Sequence, residues 1–190
     1  MKVLNFLAVL MASFGLHAQE PCEFVIHETD SLGTYKETAD YLVAERNFAG
    51  TATYVYFALV LDKEMPLLKM QFISRSKEFI SANCLNSTSK AYLQLDNGKI
   101  ATLFYRGDLS CGTSVRNQEG FNNNILTAYF AFSPTSFEDL MISPVALMRV
   151  KFASETKDYL LSSVLHSELH KSDFKPQQYF VDTLECLTTQ

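Results

Sequence analysis

Glycine and proline are scarce in this chain, seven and five in 190 residues, and tryptophan is absent. With so few glycines the sequence holds no Gly-rich phosphate loop, neither the P-loop pattern nor a dinucleotide fingerprint. No low-complexity tract and no repeat at solenoid spacing occurs, so neither a flexible array nor a stacked-repeat fold is expected. Basic residues are also few: 16 Lys and Arg stand against 21 Asp and Glu. Nucleic acid needs a basic face, so it is excluded as a partner, and no basic amphipathic stretch is present for anionic lipid. Beyond the first residues no run of about 18 apolar residues exists, so no membrane-spanning helix is expected in the rest of the chain. No two cysteines are spaced C-x-x-C, which weakens a structural zinc site. The G-x-S-x-G elbow of α/β-hydrolase-type serine enzymes is missing too.

What is present begins with "MKVLNFLAVLMASFGLHAQ". Lys2 precedes an apolar run from Val3 to Gly15, and a small residue, Ala18, closes a short polar stretch. That pattern reads as a signal peptide, residues 1–18, cleaved after Ala18. Residues 19–190 then form a single β-rich domain, of a length that suits one core. Removing Lys2 leaves 15 basic against 21 acidic residues, so 15 − 21 = −6 for the exported chain. Cys22 lies too far past Ala18 for a lipid-anchored start. The expected location is outside the cytoplasm: periplasm, cell surface or medium.

Four cysteines follow the leader: Cys22, Cys84, Cys111 and Cys186. An even number in an exported chain points to disulfides, and four allow three pairings. The hairpin between two of them narrows the choice. Asn97-Gly98 is the preferred centre of a two-residue type I′ turn. That turn sets Leu95 opposite Ile100, Leu93 opposite Thr102 and Ala91 opposite Phe104 on one face, with Gln94–Ala101 and Tyr92–Leu103 on the other. Extending the register brings Cys84 opposite Cys111, and Cys22 and Cys186 remain to tie the two ends together. In perfect register the Cys84–Cys111 pair falls at a hydrogen-bonded site, where Cα atoms are farther apart. A bulge in "NSTSK" would relieve this.

Elsewhere, period-two alternation marks strands. "CEFVIHE" and "DYLVAERNF" are strands, with "TDSLGT" as a loop between them. "TATYVYFALVL" and "NNILTAYFAF" are apolar on both faces, as centrally placed strands are. "PLLKMQFISR" sends Leu68, Met70 and Phe72 inward. "VALMRVKF" sends Ala146, Met148, Val150 and Phe152 inward, and "KDYLLSSVLHSELH" continues extended. "SPTSFEDLM" is a short helix with Pro134 in its first turn and Glu138–Asp139 placed at its positive end. Ser143-Pro144 stops it. At the C-terminus Phe180, Leu184 and Leu187 follow helical spacing. About eight strands and two helices result. The fold class is mainly β: an antiparallel β-sandwich or curled sheet with a short helix and a C-terminal helix. Fifteen Phe and nine Tyr supply its core.

The stretches "SKEFISANC", "LQLDNGKIATL", "SFEDLMISPVALMRVKF" and "YFVDTLECL", with the "HAQ" leader ending, resemble a group of small exported β-rich proteins of unknown function from Bacteroidetes-type bacteria. The motifs are structural, so the resemblance implies a fold and an exported location and carries no catalytic residue.

Candidate chemistry is sparse. In "HSELH", His166, Glu168 and His170 share one face of a strand and could ligate zinc; the same face reads as the solvated side of an edge strand whose Leu161, Leu165 and Leu169 point inward. His27 has Glu23 and Glu28 nearby but no nucleophile. "RGD" at Arg106–Asp108 matches an integrin-binding tripeptide and is also ordinary turn chemistry. "NST" at Asn86–Thr88 is a sequon, "DSL" at Asp30–Leu32 resembles an O-glycan acceptor, and "GFNNNIL" is a loop able to bond a polar ligand. No catalytic, cofactor-binding or metal residue is assigned, and no cofactor is expected. The expected function is an exported non-enzymatic domain with a binding or structural role in the envelope or outside the cell, its partner a protein or glycan. The alternatives are an extracytoplasmic hydrolase, metal-assisted through His166, Glu168 and His170, or an inhibitor or immunity protein of an exported enzyme.

Overall fold

The computed structural model describes residues 22–188; the expected signal peptide, residues 1–18, lies outside them. The first strands are β1 (Phe24–Asp30), β2 (Gly33–Thr38), β3 (Tyr41–Phe48), β4 (Thr51–Asp62) and β5 (Met65–Ser76). Next come β6 (Lys90–Leu95), β7 (Ile100–Tyr105), β8 (Thr113–Arg116) and β9 (Asn122–Phe132). Helix α1 (Pro134–Ile142) leads into β10 (Val145–Lys151) and β11 (Thr156–Leu160), then into the short β12 (Leu165–His166) and β13 (Asp173–Phe174). Helix α2 (Tyr179–Thr183) ends the chain between two 3-10 segments, Pro176–Gln178 and Leu184–Leu187.

Eleven strands form one antiparallel sheet. The long strands β4 and β9 each serve two partners on one side. β4 pairs with β3 over its first half and with β2 at its end, and β9 pairs with β8 and then β7. Eight strands make a continuous ladder in the order β3-β4-β5-β9-β7-β6-β10-β11. In a flat sheet the five steps from β5 to β11 would span roughly 24 Å. Phe72 on β5 instead has its ring 6.0 Å from that of Tyr159 on β11, and 5.4 Å from Phe152 just after β10. The sheet is therefore curled into an open barrel: the fold is mainly β as expected, and of the two arrangements expected, β-sandwich or curled sheet, the curled sheet forms. Its two end strands, β3 and β11, face each other across a seam without pairing.

The core fills the concave side. Phe57, Leu59, Leu68, Met70, Leu93, Leu103, Phe130, Met148 and Val150 are buried, together with Phe180 and Leu184 from the C-terminal segment. The expected inward set of β5, Leu68, Met70 and Phe72, is buried as read. In β10 the first inward residue is Val145 rather than Ala146, because a register shift between Val145 and Leu147 moves the alternation.

Two disulfides form, Cys84–Cys111 and Cys22–Cys186. The hairpin between the first pair departs from the expected register by one residue. Leu93 stands opposite Ala101 and Ala91 opposite Leu103. Leu95 N–H bonds Lys99 C=O at 2.9 Å, and Gly98 N–H bonds Leu95 C=O at 3.0 Å. The loop is thus the three residues Asp96–Gly98, with Gly98 at φ +83 in the left-handed position of a G1 bulge. The cause is tertiary: Asp96 N–H donates to Pro144 C=O at 2.9 Å, so it is not available to extend the ladder. A one-residue slip turns every side chain of the strand over. Ala101 and Leu103 are buried, whereas Ile100 and Phe104 are exposed. Toward the cysteines the polar turn "NSTSK" restores the other register, since Leu85 and Ser110 exchange both backbone hydrogen bonds, at 2.7 and 3.0 Å. Cys84 and Cys111 therefore occupy the adjacent non-hydrogen-bonded site, with Cα atoms 3.9 Å apart. Gly112 follows at φ +71, where a Cβ would come within 2.3 Å of the Ile125 carbonyl oxygen, so only glycine lets this strand approach β9.

In α1 the N-cap is Ser133, whose Oγ accepts from Ser136 N–H. The first turn carries no acidic residue. Asp139, expected there, lies one turn further on and binds Lys99 Nζ at 2.6 Å, fastening the helix to the hairpin.

On the convex side a nearly buried ion cluster bridges β2 and β5. Lys69 Nζ donates to Glu37 Oε1 and lies 2.9 Å from Asp40 Oδ1, and Tyr35 donates to Glu37 Oε2 at 2.7 Å. Burial disfavours the charged Lys69, but hydrogen bonds to Glu37 and Asp40 outweigh it and raise its pKa. Burial also raises the pKa of Tyr35, Tyr54, Tyr56, Tyr105, Tyr159 and Tyr179. All these groups hold their protons more tightly when folded, so their stabilisation is complete below the ordinary values near 10 and is lost as pH rises past them. Urea unfolding at a series of pH values is expected to show stability falling steeply above about pH 10. Tyr159→Phe should shallow that fall, and a flat profile to pH 11 would contradict the assignment.

Candidate functional site

The seam between β3 and β11 is filled at one end and open at the other. At the filled end Gln177 N–H bonds Ser162 C=O at 3.4 Å and its Nε2 bonds Leu161 C=O at 3.0 Å. Tyr179 and Phe180 then pack on Phe57, with ring centroids at 5.5 and 5.6 Å. The other end is a cleft of about 730 Å³. Its volume lies within the range of ligand pockets, which favour the mouths of β-barrels.

The cleft extends the core outward. Val55 and Phe72 form its floor and Tyr159 its inner wall. Ala44, Arg46 and Phe48, alternate residues of β3, line one flank, and Leu160 and Asp158 line the other. Thr51, Thr53 and Ser74 add hydroxyl groups. Phe48 is 68% exposed and Leu160 80% exposed, so the rim carries two large apolar side chains in contact with water. The charges differ in their engagement. Lys157 is held by Glu155 at 3.1 Å and by Asn83 Oδ1 at 3.0 Å. Asp158 receives a two-pronged bond from Arg149, at 2.7 and 2.6 Å, which holds its carboxyl below the ordinary range. Arg46 lies over the Phe48 ring, 5.3 Å from its centroid, and makes no ion pair among the described residues.

Glu45 is committed elsewhere. Its Oε2 accepts from Ser167 Oγ at 2.6 Å, and its Oε1 from the N–H groups of Glu168 and Leu169 at 3.2 and 3.3 Å. Ser167 C=O then accepts from Lys171 N–H at 3.0 Å, so residues 167–171 form a single helical turn. The expected extended strand through "HSELH" is thereby replaced: only Leu165–His166 is extended. His166 points to Asp173, with Nδ1 2.6 Å from Oδ1. Glu168 accepts from Asn47 at 2.8 Å, and His170 Nε2 meets the Tyr56 hydroxyl at 2.9 Å. The three side chains do not converge, and no group of three or more potential ligands suited to a metal occurs among the described residues. Because bonds to a charged acceptor contribute about 1.5–3 kcal/mol, Glu45→Ala should raise amide exchange at Glu168 and Leu169 by about tenfold or more while leaving the β4–β5 amides unchanged. Hydrogen-exchange mass spectrometry checks this.

The remaining candidates lie apart from the cleft. His27 is on exposed β1, 6.1 Å from the Phe24 ring. Arg106, Gly107 and Asp108 form an exposed turn whose Asp108 C=O is held by the Tyr105 hydroxyl at 3.0 Å. Asn86 Oδ1 accepts from Thr88 N–H and hydroxyl, so the sequon is an Asx turn. Asp30 Oδ1 caps Leu32 and Gly33, leaving Ser31 exposed. The asparagines of "GFNNNIL" are occupied: Asn122 bonds Lys77 and Glu78 carbonyls, Asn123 those of Val115 and Phe121, and Asn124 the Ser114 hydroxyl.

No protein-family model, curated protein or solved structure matches this chain. The cleft residues were not singled out from sequence, although a signal exists. Arg46 falls at an inward phase of "VAERNF", where a packed strand would carry an apolar residue.

Proposed function

We propose that the protein is an exported, non-enzymatic binding domain that holds its ligand in the cleft between β3 and β11. The observation that carries this reading is an apolar floor, continuous with the core, opening to water beside an unpaired arginine. Exposed apolar surface of this kind marks a contact site. The two disulfides and the leader sequence support export, because such bridges persist in oxidising compartments. Among the described residues no helix is long and apolar enough to cross a membrane. No histidine or cysteine lines the cleft, and its lysine and aspartate are already bonded, so it offers recognition rather than a nucleophile and base.

A thermal-shift screen of the full protein against oligosaccharides, short peptides and medium-chain carboxylates tests the reading. At least one class should raise Tm. Thr53→Trp, which fills the cleft from a partly exposed position, should abolish the shift. A shift that persists in Thr53→Trp, or no shift with any class, overturns it.

A further inference from the structure

Both flanks of the cleft are strand edges, and their backbone pattern defines a complement. On β11, Leu161 N–H bonds Ala146 C=O at 3.0 Å, and Phe152 N–H bonds Glu155 C=O at 2.8 Å. Antiparallel bonding alternates, so Lys157 and Tyr159 are spent on β10, while Asp158 and Leu160 turn their N–H and C=O outward. On β3 the Phe48–Thr51 pair closes a two-residue turn through Ala49 and Gly50, both at positive φ. Arg46 is therefore spent on β4, and Glu45 and Asn47 face outward. Among the described residues no strand pairs with either outer edge. The eight-strand ladder lacks the member that would occupy the gap.

Building on the cleft as the binding site, we infer that its ligand is an extended peptide with an acidic group, added as a strand along the outer edge of β11. Strand addition supplies main-chain hydrogen bonds for affinity and side-chain pockets for specificity. The backbone groups discriminate between ligand classes. An acyl chain laid in the cleft would take the Asp158 and Leu160 amides out of water without a partner, at about 1–3 kcal/mol each. A peptide backbone satisfies them, and its alternate side chains enter the apolar floor formed by Val55 and Phe72. Arg46 is the unpaired charge of the site, and a carboxylate complements it.

The test is selection of a random seven-residue peptide display library on the full, disulfide-bonded protein, followed by synthesis of the selected sequences. Expected are peptides with apolar residues at alternate positions and an acidic residue. N-methylation of alternate peptide amides should weaken binding at least tenfold in one phase and little in the other. Leu160→Pro removes one outward donor without touching the β10 ladder, an edge position that tolerates proline, so Tm should hold while peptide affinity falls at least tenfold. Arg46→Ala should weaken the acidic peptide but not its Glu-to-Gln analogue. No selected peptide, or binding indifferent to both N-methylation and Leu160→Pro, overturns the inference. If dodecanoate alone binds, and Thr53→Trp blocks it, the cleft remains the binding site and only the peptide assignment fails. If only an oligosaccharide binds, and Thr53→Trp blocks it, the peptide assignment alone fails; if no class binds, both readings fail.

Discussion

Removing the Cys22–Cys186 bridge by paired serine substitution is expected to cost the protein about 5 kcal/mol, the chain-entropy value for a loop of 164 residues. This is the largest single effect expected. The bridge joins Cys22, two residues before β1, to the 3-10 segment that closes the core, so its loss frees both ends of the chain at once. The stabilisation resides in the restriction of the unfolded chain, and the folded circular dichroism spectrum should therefore stay the same while the urea midpoint falls. The Cys84–Cys111 bridge closes a 27-residue separation, for which the same account gives roughly 3.5 kcal/mol. The order of the two effects is itself a test. If opening the shorter loop costs more, the geometry around Gly112 matters more than chain entropy.

Phe180→Ala is the second large effect. Phe180 is fully buried, with ring centroids 5.6 Å from Phe57, 6.3 Å from Phe132 and 5.2 Å from Tyr179. It enters the filled end of the barrel from the C-terminal segment, touching both β4 and β9. Truncating a buried phenylalanine costs about 3–5 kcal/mol, since the cavity collapses only in part. Two control positions sharpen the measurement. Phe79, 90% exposed, and Phe48, 68% exposed at the cleft rim, should change stability by less than about 0.5 kcal/mol when replaced by alanine. Phe48→Ala is still expected to impair ligand binding. A Phe180 variant as stable as these would mean that the C-terminal segment does not plug the barrel. Together with the alkaline loss of stability and the exchange at the Glu45-bound turn, these results separate the packed end of the barrel from its open end.

Much of the architecture was legible because it is periodic. The inward phase of "PLLKMQFISR", the doubly apolar character of "TATYVYFALV", and Phe180, Leu184 and Leu187 at helical spacing all report burial directly. The cysteine partners were legible through the hairpin between them, although by a route that the structure revises. The two-residue turn is a three-residue bulged one, and the later polar turn returns the chain to the register that pairs the cysteines. The site was not legible. "HSELH" alternates as a strand would, yet it folds into a turn because Glu45, more than 120 residues earlier, binds its amides.

The sequence by itself determined the β-rich class, the inward faces of most strands and the packing role of the C-terminal residues, because each follows from local period; it also determined both disulfide pairs, since the turn between Cys84 and Cys111 brings those two together and leaves Cys22 and Cys186 for each other. Only the tertiary structure decided the register of the Asp96–Gly98 hairpin, where a distant Pro144 carbonyl takes a backbone donor. It also decided the curl of the sheet and the seam left between β3 and β11. These strands are over a hundred residues apart, and no pattern within either one specifies what lies across from it. The cleft exists because the C-terminal segment fills one end of that seam and stops short of the other.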